Sequence, residues 1–247
     1  MHKLALFIFI VVSLAALTSC QKSTITPSTG TQEVQANWST DAVYGTFITD
    51  GYTLSNDMWG DKPGPQTLWV NSPSNWGVWS DQVGGGVKSY PNCGKYIGKT
   101  IESLKTLTSS FNITMPKTGC FDAAYDIWDS NNAHEIMLWV NTLGDPKPVG
   151  WSYNWSDGGP AVHGLVAGGH TWNVYRGTLF GHAVISFLRT SSTSSGTVNI
   201  KAILRWMKKE GWIGNVTLGN LQFGTEISST AASGSNFDFN SYSLTVE

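Results

Sequence analysis

From Asn37 onward the chain alternates. Short runs with apolar residues at every second position are broken by Gly, Pro, Asn and Ser clusters. VYGTFI, GYTLSND, TLWV, FDAAYDIW, EIMLWV, HTWNVYRG, HAVISFLRT and GNLQFGTE are examples. A period of two sends successive side chains to opposite faces, so each run predicts a strand with one face in a core. Many such runs at short spacing predict antiparallel strands in a sandwich or barrel. No internal repeat and no second domain boundary interrupts them. One segment keeps a different period. TVNIKAILRWMKKEG, residues 197–211, places Ile200, Ile203, Leu204 and Met207 on one helical stripe. Lys208 and Lys209 fall in the last turn and Gly211 follows as a stop, so a single amphipathic helix packed on the sheets is expected.

The two faces of several strands differ in kind. In EIMLWV, Ile136, Leu138 and Val140 form an aliphatic face suited to a core. Glu135, Met137 and Trp139 form the other, where a carboxylate, a thioether and an indole suit the floor of a binding cleft. In NLQFGTE, Leu221, Phe223 and Thr225 oppose Gln222, Gly224 and Glu226. In CFDAAYDIWD, Phe121, Ala123, Tyr125 and Ile127 oppose Asp122, Ala124, Asp126 and Trp128. GYTLSNDMWG would put Thr53, Ser55, Asp57 and Trp59 together. Four segments therefore offer polar or aromatic faces that could meet in one groove.

Composition narrows the class. The 247 residues include 12 tryptophans, more than one core needs, and carry a net charge of −2 with no basic stripe, which argues against nucleic acid. Some of these flat rings are candidates to stack on sugars; others belong to the core. At the N-terminus, Lys3 precedes an apolar run too short for a comfortable membrane span, and the run ends in Leu17-Thr18-Ser19-Cys20. That pattern resembles a bacterial lipobox. Residues 1–19 are read as a lipoprotein signal peptide, 20–36 as a lipid-bearing Cys20 and a Ser/Thr-rich tether, and 37–247 as the domain. Lipid-anchored export to the cell envelope follows, with the anchor as the sole membrane contact. An ordinary secretory signal is the alternative. The remaining Cys93 and Cys120 permit one disulfide, and a bridge is expected on balance.

Carboxylates are informative because they are scarce. Of six glutamates, only Glu135 and Glu226 sit inside apolar strands, where an ionised group needs a reason. Paired carboxylates about 5–5.5 Å apart are the machinery of retaining glycoside hydrolysis. The bland alternative is two exposed edge-strand glutamates. The five histidines have no ligand-like spacing, and His134 should face away from Glu135; no metal or cofactor is expected. His182, in GHAVISF, is left open between surface and cleft.

These residues resemble glycoside hydrolase family 12. HEIMLWVN is similar to that family's nucleophile strand and LQFGTE to its acid/base strand. SNDMWG, GGVKSYPN, AAYDIW, GDPKPVG and TWNVYRG follow in family order, from about Tyr52 to the C-terminus. The resemblance implies a β-jelly roll of two curved antiparallel sheets with an open concave cleft. It implies retaining endo-hydrolysis of β-1,4-glucans, whether cellulosic, mixed-linkage or xyloglucan, by a monomer. By the same resemblance Glu135 is the nucleophile, Glu226 the acid/base, and Asp126 the aspartate beside the nucleophile. Trp59 stacks on a sugar, Met137 and Trp139 flank the nucleophile, and Pro148 belongs to a loop crossing the cleft. The chain departs from the family at Asp57, where an amide is usual and where an ionised carboxylate accepts hydrogen bonds but donates none. A non-catalytic glycan-binding protein on the same scaffold is the rival reading, and the Glu135/Glu226 pair is what it would not need.

Overall fold

The computed structural model describes residues 36–148 and 159–247. Two sheets face each other. The smaller has six strands in the order β1 (Trp38–Thr40), β4 (Gln66–Ser72), β5 (Asn75–Ser80), β16 (Ser235–Val246), β7 (Leu107–Thr114) and β13 (Ser195–Asn199). The larger runs β10 (Val162–Ala167), β11 (His170–Leu179), β12 (His182–Arg189), β9 (His134–Leu143), β8 (Cys120–Asp129), β14 (Leu218–Gly224), β6 (Asn92–Tyr96), β3 (Tyr52–Ser55) and β2 (Thr46–Thr49). A tenth, short strand, β15 (Ile227–Ser229), pairs with β8. This is the β-jelly roll, mostly strand, with one helix among the described residues. Every neighbouring pair is antiparallel except β9 and β12, which run parallel because the chain crosses over before the β10–β12 meander.

The alternation read from the sequence holds on the strands that matter. Ile136, Leu138, Val140, Tyr125, Ile127, Leu221 and Phe223 all enter the core between the sheets. Trp76 stacks on Phe239 with ring centroids 3.9 Å apart, and Phe223 of the larger sheet touches Phe111, Phe239 and Tyr242 of the smaller. The side chains between them in sequence emerge on the concave face of the larger sheet.

Three expectations need correction. The helix, α1, spans Ile200–Lys209, not the whole of 197–211. Thr197–Asn199 close β13 against β7, with Thr197 opposite Ser110, and Asn199 then caps the helix by accepting from the Ala202 N–H. Gly211, at φ +69°, ends it: its N–H and that of Trp212 donate to the carbonyls of Lys208 and Met207, a Schellman closure. Second, Cys93 and Cys120 are free thiols. Cys93 points into the inter-sheet core, whereas Cys120 lines the cleft on the other side of the same sheet, so their Cβ vectors diverge. Third, strand alternation stops at Ser55. Asp57 takes φ +39° and turns the chain, so Asp57 and Trp59 are not face-mates of Thr53 by strand geometry.

Candidate active site

The cleft is built on β8 and β9. Their register sets Trp128 opposite Glu135, Asp126 opposite Met137 and Ala124 opposite Trp139. Ala124, Met137 and Trp139 form a small apolar cluster of their own, joined by Leu188 from β12. This is the floor that the mixed face of EIMLWV foreshadows. His134 faces the other way, as expected: its Nδ1 lies 2.7 Å from Asp129 Oδ2 and ties the β8–β9 turn.

Glu226 arrives from β14 by a kink. Gly224 lies so close to the β6 approach that an added Cβ would sit 2.3 Å from the Pro91 carbonyl oxygen, so only glycine fits. Thr225 is buried and its hydroxyl donates to the Asp122 carbonyl. The Glu226 N–H then lies 3.3 Å from Asp122 Oδ1, while the Asp122 N–H donates to the Glu226 carbonyl at 3.1 Å. Phe-Gly-Thr-Glu thus places its carboxylate through one close backbone approach and one buried hydroxyl. Glu226 lines a 310 Å³ cavity with Asp122, Trp139, Val87, Asp145 and Lys147. A larger cavity of 470 Å³ lies along α1, among Lys201, Arg205, Lys208 and Glu102, remote from the paired acids.

The carboxyls form one electrostatic cluster. Burial, the Asp122 carboxyl and the Glu135 charge together hold Glu226 well above the usual carboxylate range. Burial pushes Asp122 up to about 7 even though it accepts from Glu226. Asp126 is also held well above its ordinary value, by burial first and then by Glu135, with Glu226 and Asp57 adding to it. Its Oδ2 accepts from the Trp128 indole N–H at 2.8 Å, and its Oδ1 has no protein partner among the described residues. Glu135 is treated differently. Burial raises it, but His182 Nε2, 2.8 Å from Glu135 Oε2, opposes that rise.

The expected residues fare unevenly. Glu135, Glu226, Asp126, Met137 and Trp139 converge on one trough. Asp57 joins them electrostatically; burial lifts it to about 6. Trp59 stands half exposed (50%). Pro148 is buried at the end of a segment whose Asp145, Pro146 and Lys147 line the cavity beside Glu226. Cys20 lies outside the described residues. Two residues gain roles that the sequence alone does not assign: His182, open there between surface and cleft, lies against Glu135, and Asp122 partners Glu226.

A two-sheet jelly roll with an acid cluster along its concave trough defines a hydrolase of the polysaccharide-cleaving kind. The chain belongs to glycosyl hydrolase family 12, whose model matches residues 35–247. Endoglucanase S of Pectobacterium parmentieri is 30% identical over 89% of this chain and 90% of its own. Xyloglucan-specific endo-beta-1,4-glucanase A of Emericella nidulans is 28% identical over 85% of this chain and 89% of its own. Among solved structures, the xyloglucanase domain of NopAA, a type three effector from Sinorhizobium fredii in complex with cellobiose, matches with a TM-score of 0.81. It shares 48% identity, over 85% of this chain and 99% of that one.

Proposed function

We propose that the protein is a retaining endo-β-1,4-glucanase with xyloglucan as its principal substrate, Glu135 acting as nucleophile and Glu226 as acid and base. The observation that carries this reading is the unequal treatment of two neighbouring carboxyls. Burial raises both, but a hydrogen-bonded imidazole opposes the rise at Glu135, while at Glu226 burial is reinforced by Asp122 in favouring the protonated form. Two carboxyls with protonation states pushed apart are what double displacement requires. A Glu135 oxygen bonds to the anomeric carbon as the glycosidic C–O bond breaks, and Glu226 gives its proton to the departing oxygen. Water then attacks the same carbon; Glu226 takes the water proton and the ester bond to Glu135 breaks. Asp126, kept neutral by burial and then by its acidic neighbours, can hydrogen-bond to Glu135. Met137 and Trp139 floor the cleft, Trp59 stacks on a sugar, and the Pro148 loop crosses it. Asp57, raised to about 6, is protonated in mildly acidic medium and can then donate to a sugar hydroxyl, as the usual amide would. Xyloglucan is favoured by the 48% identity to the xyloglucanase domain. A purely glycan-binding role would leave the paired carboxyls and their opposed environments without use.

Release of reducing ends from xyloglucan, carboxymethyl cellulose and mixed-linkage glucan tests the reading. Glu226→Ala should lose about 10²–10⁴-fold in turnover, and Glu135→Ala at least as much, with folding intact. The wild-type pH profile should be a bell. Its acidic limb lies above the ordinary carboxylate range because Glu135 must be ionised, and its alkaline limb reflects loss of the raised Glu226 proton. Near-normal turnover in either variant rejects the assignment.

For the N-terminus, we propose that residues 1–19 direct export, that Cys20 carries lipid, and that the catalytic domain follows from 37, on the strength of the Leu-Thr-Ser-Cys sequence. Cys20→Ser should move the activity from the membrane fraction of expressing cells to the soluble one. Wild-type protein found free of membranes would reject the anchor.

A further inference from the structure

Glu135 is held by a residue to which the catalytic roles above give no part beyond its influence on the Glu135 charge. β12 pairs with β9 in parallel, with Ala183 opposite His134 and Val184 opposite Glu135, so the β11–β12 hairpin delivers its first strand residue, His182, to the Glu135 carboxyl. That hairpin is a two-residue turn, Phe180–Gly181, with φ of +48° and +91°, the type I′ geometry that fixes register tightly. His182 Nε2 lies 2.8 Å from Glu135 Oε2, and both side chains are only 14% exposed. The other side of the imidazole meets the Trp128 ring, with centroids 4.9 Å apart at 57°. The same indole donates to Asp126 Oδ2. Trp128 therefore braces His182 and Asp126 at once, and His182 in turn fixes one oxygen of Glu135.

We propose that His182 is the positioning residue of Glu135: its Nε2–H engages Oε2, leaving Oε1 as the oxygen that attacks, and Trp128 holds the imidazole in that pose. This rests on Glu135 being the nucleophile. During attack the negative charge leaves Oε1 as its bond to the anomeric carbon forms and the leaving oxygen takes the Glu226 proton. Oε2 becomes the ester carbonyl oxygen and keeps the His182 hydrogen bond. Among the described residues, the charged group in contact with His182 is Glu135 from β9, and Asp126 from β8 is linked to it through Trp128. From β11 the residue opposite is Leu179, which carries no charge.

The test compares His182→Ala and His182→Gln in the full chain, with Glu135→Ala as reference, on soluble xyloglucan and mixed-linkage glucan. His182→Ala should lower kcat about 10- to 100-fold with KM little changed, the scale of a misplaced reacting group. Its acidic limb should move toward neutral pH, because Glu135 loses the donor that favours its ionised form. His182→Gln, whose amide can present an N–H at the same place, should recover most of the kcat. An inactive Glu135→Ala beside a His182→Ala enzyme with wild-type kcat and pH profile overturns this inference alone. So does an unchanged pH profile with a fall in KM and kcat that Gln fails to rescue. An active Glu135→Ala enzyme overturns the assignment of the nucleophile and this inference with it.

Discussion

At the scale of single residues, Asp122 decides how the site behaves with pH. It is buried, it accepts from the Glu226 N–H, and its folded value stands at about 7 against an unfolded value near 3.9. A carboxyl raised on folding contributes stability fully below its unfolded value, and loses it as pH rises through the folded one. The wild-type enzyme should therefore lose roughly 2–4 kcal/mol from this group between pH 4 and pH 8. Asp122→Asn keeps an acceptor for Glu226 and removes the titration. Its melting temperature should fall less from pH 5 to pH 8 than the wild type's, and its alkaline activity limb should move down, since Glu226 loses a neighbour that raises it. Parallel melting curves across that range would show that Asp122 titrates in the folded enzyme as it does in the unfolded chain, as a solvated carboxylate, contrary to its burial.

At the scale of elements, what could be read ahead was whatever a period encodes. EIMLWV announced its two faces because Ile136, Leu138 and Val140 are aliphatic without exception, and Glu135 sits where only a cleft tolerates it. The helix stripe was legible for the same reason, but its start was not. Val198 fits a strand face as well as a helical stripe, and pairing with β7 claims it for β13. Asn199 was the available signal, a capping residue directly before the first stripe residue. GYTLSNDMWG misled because alternation says nothing about φ. The turn at Asp57 follows from contacts made elsewhere: its carbonyl accepts from Tyr90, while buried Asn56 is held by Ala42 and Gln66. His182 could not be assigned from sequence because its meaning depends on the parallel register of β12 on β9, across 47 residues. Asp122 was visible on the correct face of its strand. Its partner was hidden by the kink at Thr225, which no repeat records.

At the scale of the molecule, the site depends on two sheets that share one interior. Phe223 sits one residue from Gly224 on the strand that delivers Glu226, yet its ring lies among Phe111 of β7 and Phe239 and Tyr242 of β16, in the opposite sheet. Tyr125 adjoins Asp126 and faces inward likewise; its hydroxyl donates to Ser109 Oγ at 2.8 Å, which donates to the Ser243 carbonyl at 2.9 Å. The strand that carries Asp126 and the strand that leads to Glu226 are thus fastened through their core faces to the smaller sheet. Neither sheet buries those rings alone, so unfolding one should expose the core of both. Phe223→Ala should cost about 3–5 kcal/mol, since a fully buried aromatic side chain is removed from a packed cluster. The loss should appear as one transition, with far-ultraviolet and near-ultraviolet circular dichroism melting together at a lower temperature. Turnover per folded molecule should stay close to wild type well below that temperature, because Phe223 and Glu226 are on opposite faces. Two separated transitions, or activity lost before the strands melt, would mean that the catalytic sheet keeps its shape without the other.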